Sequence, residues 1–241
     1  MVARAESEDF RRWSPVEPII QPQIDDPFSY DVYTNAYTSY PGLPEYHLMF
    51  PILYRRLTQT SEAHLYSSID GLRWERVSGR PVLESGRPGS PDGGFLVAGK
   101  QLVPLGKDKV AIPYTVFAFP HKYPRWPGVL SATMSGWATW PRGRLCGLRA
   151  DQDGQFDTFR VQVTGSSLRI NAKVDEGGEI RVGLRGIEGR SVNDCDPITG
   201  DHSERTVVWK GDSRLRIEPG QSVNLRFRMQ AAELYGFEWY A

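Results

Sequence analysis

The segment Ser7-Glu8-Asp9-Phe10-Arg11-Arg12-Trp13 returns 61 residues later as Ser68-Ile69-Asp70-Gly71-Leu72-Arg73-Trp74, with Ser, Asp and Trp in the same places. Each copy is followed by a proline and an aliphatic pair, Pro18-Ile19-Ile20 and Pro81-Val82-Leu83. A third relative, Ser131 to Trp137, keeps the Ser and a Trp but lacks the Asp, and Trp137 follows Trp74 by 63 residues. A recurrence of this kind signals one structural unit built more than once. Its mechanics are those of a strand ending in Ser, a tight turn in which Asp accepts backbone N–H bonds, and a Trp that opens the next strand. Units of four short strands need about 40 to 60 residues, so the spacing predicts the blades of a β-propeller.

The rest of the pattern agrees with an all-β chain. No long stretch keeps apolar residues at i, i+3, i+4 and i+7, and at most one turn of helix is expected, at Gln230–Leu234. Tyr46–Phe50, Ala63–Ser68, Val110–Tyr114 and Gly128–Ala132 read as strands, and Pro113 demotes the third of these toward an edge or a strand end. From about residue 144 the texture changes. Leu168, Ile170, Ala172 and Val174 alternate onto one face, as do Val223, Leu225, Phe227 and Met229, with polar residues opposite. That alternation, punctuated by Asp153-Gly154, Glu176-Gly177-Gly178 and Gly211-Asp212, predicts a β-sandwich with one wet side per sheet. The expected organisation is a partial propeller of about three blades over residues 1–143 and a jelly-roll-like sandwich over residues 144–241.

Composition removes several classes of function. Lys+Arg and Asp+Glu both number 29, so nothing electrostatic favours nucleic acid or an anionic membrane as partner. No run of about 18 apolar residues spans a bilayer, and Met1–Glu8 lacks the apolar core of a signal peptide, so the chain is expected to be cytoplasmic or a truncated secreted protein. Two cysteines, Cys146 and Cys195, make neither a disulfide framework nor a metal site, and their pairing stays open. His47, His64, His121 and His202 show no metal-ligand spacing, Asp151–Asp157 lacks the glutamate of a calcium loop, and no phosphate loop or nucleophile elbow occurs. Neither a metal nor another cofactor is expected. What is abundant is aromatic: 7 Trp, 11 Tyr and 10 Phe. Such rings build β cores, and they also stack on the apolar faces of sugars. Phe117 to Trp126 (FAFPHKYPRW) is an aromatic loop with no periodicity to bury it, placing His121 and Trp126 at a sugar site or a subunit contact. His64 and Tyr66 share a strand face that points toward a propeller centre.

Three stretches carry a family resemblance: Asp31-Val32-Tyr33-Thr34-Asn35-Ala36, Leu65 to Trp74 (LYSSIDGLRW), and Gly178 to Trp209 with Asn193-Asp194-Cys195-Asp196. With the repeat and the sandwich pattern, the chain resembles glycoside hydrolases of families 32 and 43, and more closely a group of bacterial family-32-like proteins common in planctomycetes. The resemblance implies a five-bladed propeller with a C-terminal β-sandwich, of which this chain is the later half. It also implies a carboxylate acid/base mechanism acting on an oligo- or polysaccharide. The family's acid follows a turn–Trp–Pro-Ile segment like Asp9 to Ile20, and the equivalent place falls at Asp31. Asp26, with Asp25, lies close by as an alternative, and Tyr33 and Asn35 would line the same pocket. The family's Trp-Met-Asn-Asp-Pro and Arg-Asp-Pro segments do not occur in this sequence. Hydrolysis, non-catalytic carbohydrate binding, and association with itself or a partner to cover an incomplete propeller therefore stand side by side.

Overall fold

A computed structural model describes residues 1–77, 79–122 and 133–241. The described chain is all-β, with no helix among the described residues. It divides into two compact units, Met1–Arg142 and Gly143–Ala241.

The first unit opens with a hairpin of β1 (Val2–Arg4) and β2 (Glu17–Ile20). The chain then makes four antiparallel passes, each broken near its middle. The first holds β3 (Tyr30–Val32) and β4 (Tyr37–Tyr40), the second β5 (Leu43–Met49) and β6 (Ile52–Arg55). The third holds β7 (Thr60–Ala63) and β8 (Tyr66–Ser68), the fourth β9 (Glu75–Arg76) and β10 (Leu83–Glu84). The same four passes therefore make two four-stranded sheets, β10-β7-β6-β3 and β4-β5-β8-β9. The breaks remain hydrogen-bonded across the passes: the His64 amide donates to Pro51 O and the Val77 amide to Leu65 O. Pro51, which has no N–H to give a ladder, marks the break in the second pass. Ala63–Ser68, expected as one strand, is divided by this break, with His64 and Leu65 at the bend.

A further sheet is made by β11 (Leu96–Ala98), β12 (Val103–Leu105), β13 (Lys109–Phe117) and β14 (Thr133–Pro141). Here β13 is central: β14 lies along one edge, while β11 and β12 share the other. Pro113, expected at an edge or a strand end, sits inside this central strand. It is tolerated because on that edge it falls between the stretch paired with β11 and the stretch paired with β12, where its carbonyl accepts the Gly99 amide at 2.7 Å. The hairpin β1–β2 packs on one face of the passes through Val2, Ile20, Val32, Leu53, Tyr66 and Trp74. On the other face Tyr54 meets Phe95, and the Ser61 hydroxyl donates to Leu96 O while accepting from the Leu96 amide.

Both repeat copies form the turn that their sequence predicts. Asp9 accepts the amides of Arg11 and Arg12, each at 2.8 Å, and Asp70 accepts those of Leu72 and Arg73 at 2.8 and 2.9 Å. The Arg73 and Leu72 amides hold the Asp70 carboxyl at about 2. The tryptophans differ: Trp74 is 9% exposed and packs in the core, whereas Trp13 is 54% exposed.

The second unit is dominated by two long antiparallel strands, so β15 (Leu148–Ala150), β16 (Gly154–Asp157) and β17 (Val161–Gln162) are followed by β18 (Ser167–Leu184), β19 (Asp201–Thr206), β20 (Ser222–Val223) and β21 (Leu225–Tyr240). β15 and β16 pair along one edge of β21, β18 along the other, and β19 follows β18. This sheet curls, and β17 pairs with β20 beside it. The two alternating runs are buried as expected, Leu168–Val174 and Val223–Met229 both facing a core filled by Trp209, Leu215, Ile198 and Cys195. The Trp209 indole donates to Val182 O at 2.8 Å, which satisfies the polar atom of a fully buried ring. Gln230–Leu234 is strand within β21, not a turn of helix. Its irregularity is a bulge, with Ala231 at φ 44°, where β21 pairs across the Val174/Glu179 register shift of β18. Cys146 is exposed and Cys195 buried, both as free thiols, and burial pushes the Cys195 thiol up to about 11.

Candidate functional site

Alternation along β3, β6 and β7 sorts the candidate residues onto two faces of one sheet. Asp31 pairs with Tyr54, and Tyr54 with Ser61, so these three share a face. Tyr30 with Arg55, and Val32 with Leu53 and Glu62, occupy the other.

The Asp31 face is aromatic, covered at Tyr54 and Ser61 and open at Asp31 and Tyr33. Tyr33 follows β3, and its amide continues the ladder to Ile52 O. Its ring is half exposed, and its hydroxyl shares a hydrogen bond with His121 Nε2 at 3.1 Å. Behind it, the His121 ring lies 4.7 Å from Phe95 and 5.3 Å from Tyr54, a packed set of edge-to-face and tilted contacts. Arg56, at the tip of the β6–β7 hairpin, approaches Asp31 at 3.5 Å and stands over the Phe28 ring. Burial pushes the Tyr54 phenol above its ordinary value, and the neighbouring Tyr33 and Asp31 charges push it further. The result is a half-exposed ring bonded to an imidazole, on the same sheet face as the Asp31 carboxylate and its Arg56 partner, which can offer stacking and hydrogen bonding together.

The opposite face holds a buried ionic chain. Arg55 donates to the Tyr30 hydroxyl at 2.8 Å and pairs with Glu62, whose other oxygen bonds His64 Nε2 at 2.8 Å. Asp26 is gripped by both terminal nitrogens of Arg76, at 2.7 and 2.6 Å, and Arg76 Nε donates to the Tyr66 hydroxyl at 2.9 Å. Burial alone would push both carboxyls up. For Asp26 the Arg76 bonds outweigh it, and for Glu62 the His64 bond and the Arg55 charge do, so both fall below their ordinary values.

The structure therefore brings Asp31, Tyr33 and His121 together. Asp26, His64 and Tyr66 belong to the buried chain instead, where His64 and Tyr66 are each only 2% exposed. Asn35 is exposed at the break in the first pass, and Trp126 lies outside the described residues. Sequence reading missed Tyr54, Arg56 and Phe95, which join the site by cross-strand register and by a layer contact. Their only signal is the alternation of Leu53-Tyr54-Arg55. The Asp151–Asp157 segment is accounted for by arginines: Arg149 pairs with Asp151, Arg228 with Asp153, and Arg185 and Arg226 with Asp157. No protein-family model matches the chain, and no curated protein matches it significantly.

Proposed function

We propose that the chain is a carbohydrate-active protein of the glycoside hydrolase family 32/43 type, and that it binds sugar through the surface formed by Asp31, Tyr33, Arg56 and His121. The first unit is read as propeller blades and the second as the accompanying sandwich. Support for the blades is the four-pass meander over residues 30–84 and the reuse of its closing turn, β8–Asp70–β9, in β1–Asp9–β2. Support for the sandwich is the curled sheet of long strands with one apolar face.

The observation that carries the binding reading is Tyr33: a half-exposed ring fixed at its hydroxyl by His121, on the sheet face that also carries Asp31. An aromatic platform with convergent polar groups is the common form of a small-ligand site. Hydrolysis is the second reading, and Asp31 favours it. Unlike Asp26 and Glu62, Asp31 meets its arginine only at 3.5 Å and is open to solvent. A glycosidase needs a second carboxyl roughly 5 to 9.5 Å away, and Glu62 points from the opposite face.

Reducing-sugar release from fructan, arabinan, xylan and galactan oligomers, measured for the wild type and Asp31→Asn, separates the two. Binding without turnover in either protein establishes the non-catalytic reading. Turnover that vanishes in the variant establishes hydrolysis, with Asp31 in the reaction.

A further inference from the structure

Gln59 closes the four-residue hairpin between β6 and β7, and its backbone lies at φ 59°, in the left-handed region that favours glycine. Gly or Asn is the expected residue in such a turn. What the longer side chain adds is a reach to a distant segment. The Gln59 backbone carbonyl accepts the His121 amide at 2.9 Å, and the side-chain Oε1 accepts the Lys122 amide at 2.9 Å. One residue thus fixes two consecutive amides more than sixty positions away. These bonds position the backbone that carries His121, whose Nε2 meets the Tyr33 hydroxyl. The His121 ring is otherwise held by contacts alone, against Phe95, Tyr54 and Tyr33 at 4.7, 5.3 and 5.2 Å. Its Nδ1 is buried without a hydrogen-bond partner among the described residues, where no further polar contact fixes the ring.

We propose that Gln59 is a positioning residue for the carbohydrate surface: its backbone carbonyl holds the His121 amide, its side-chain Oε1 adds the hold on the adjoining Lys122 amide, and through the backbone of this pair it sets the angle at which His121 meets Tyr33. The consequence for binding rests on the carbohydrate reading of Tyr33, whereas the clamp itself rests on the geometry of residues 59, 121 and 33.

Two substitutions separate this role from an ordinary turn. Gln59→Gly fits the backbone better but removes the side-chain acceptor. Gln59→Glu keeps an acceptor for the Lys122 amide. The assay combines calorimetric titration with arabinan and fructan oligomers, thermal unfolding, and NMR of 13C-labelled tyrosine in the ligand-free protein. Gln59→Gly, which keeps the carbonyl bond to His121 and loses the side-chain bond to Lys122, is expected to unfold at or above the wild-type temperature, to shift the Tyr33 ring resonances as the His121 ring tilts, and to weaken glycan binding about fivefold, the scale of one lost hydrogen bond. Gln59→Glu is expected to behave as the wild type in all three. Unshifted Tyr33 resonances in Gln59→Gly, or wild-type affinity despite a shift, would overturn the proposal. If the wild type itself binds neither glycan, the carbohydrate reading falls, while the Tyr33 resonances still decide whether the clamp exists.

Discussion

Each unit buries an arginine between an aromatic ring and a carboxylate, but the two arginines do different things. In the second unit Arg190 lies over the Trp209 ring at 5.2 Å, pairs with Asp212 at 2.7 Å, and donates to the carbonyls of Arg214 and Gly189. In the first unit Arg76 lies over Tyr66 at 5.5 Å and grips Asp26 with two bonds. Asp212 keeps 22% of its side chain in contact with solvent, while Asp26 keeps 6%. Arg190 is therefore a staple that fastens the 189–214 segment over an apolar core. Arg76 neutralises a carboxylate that has almost no water, beside the further charges of Arg55 and Glu62 and the imidazole of His64. A buried pair gives little net stability when intact, and its loss is severe only when the remaining charge has nowhere to go.

The largest effect should come from Arg76→Ala, which leaves Asp26 buried and unpaired. A loss of about 3–5 kcal/mol is expected in urea unfolding followed by tryptophan fluorescence. Arg190→Ala leaves two orphaned carbonyls and an emptied ring face, and should cost less, about 1–3 kcal/mol. Reversal of that order would break the distinction between staple and neutraliser.

Acid comes next. The carboxyls of Asp26 and Glu62 lie below their ordinary values when folded, so their contribution is fully present above the unfolded values near 4 and is lost as pH falls through the depressed ones. The wild-type urea midpoint should fall steeply below about pH 4, and Asp26→Asn should flatten that fall. An equally steep fall in Asp26→Asn would remove Asp26 from the account.

The smallest effect concerns the two turns. Asp70→Ala should lower the melting temperature more than Asp9→Ala, because the first turn delivers the buried Trp74 and the second the exposed Trp13. Equal shifts would mean that the repeat has the same structural weight in both places.

Local chemistry was readable from the sequence, and distant register was not. The Asp9 and Asp70 turns are bonds between residues two and three apart, so the motif contains all its partners. The alternation of Leu168–Val174 and Val223–Met229 reports one buried face directly. By contrast, Asp26 looked like an available acid because its partner Arg76 lies 50 positions on, in another strand. Sequence alternation places His64 and Tyr66 on one strand facing a pocket, whereas the bend at His64–Leu65 buries both. Pro113 was misplaced because nothing local shows that two short strands share one edge of β13. Gln230–Leu234 lost its helical turn to the cross-strand bonds of a long ladder, which outweigh local propensity.

The most direct test of the proposed carbohydrate surface is calorimetric titration of the wild type and Tyr33→Ala with fructan, arabinan, xylan and galactan oligomers. The account predicts saturable binding of at least one of these by the wild type and a loss of about tenfold or more in the variant, as expected for removing a stacking ring. Binding that is indifferent to Tyr33, or no binding to any of the four, would contradict it.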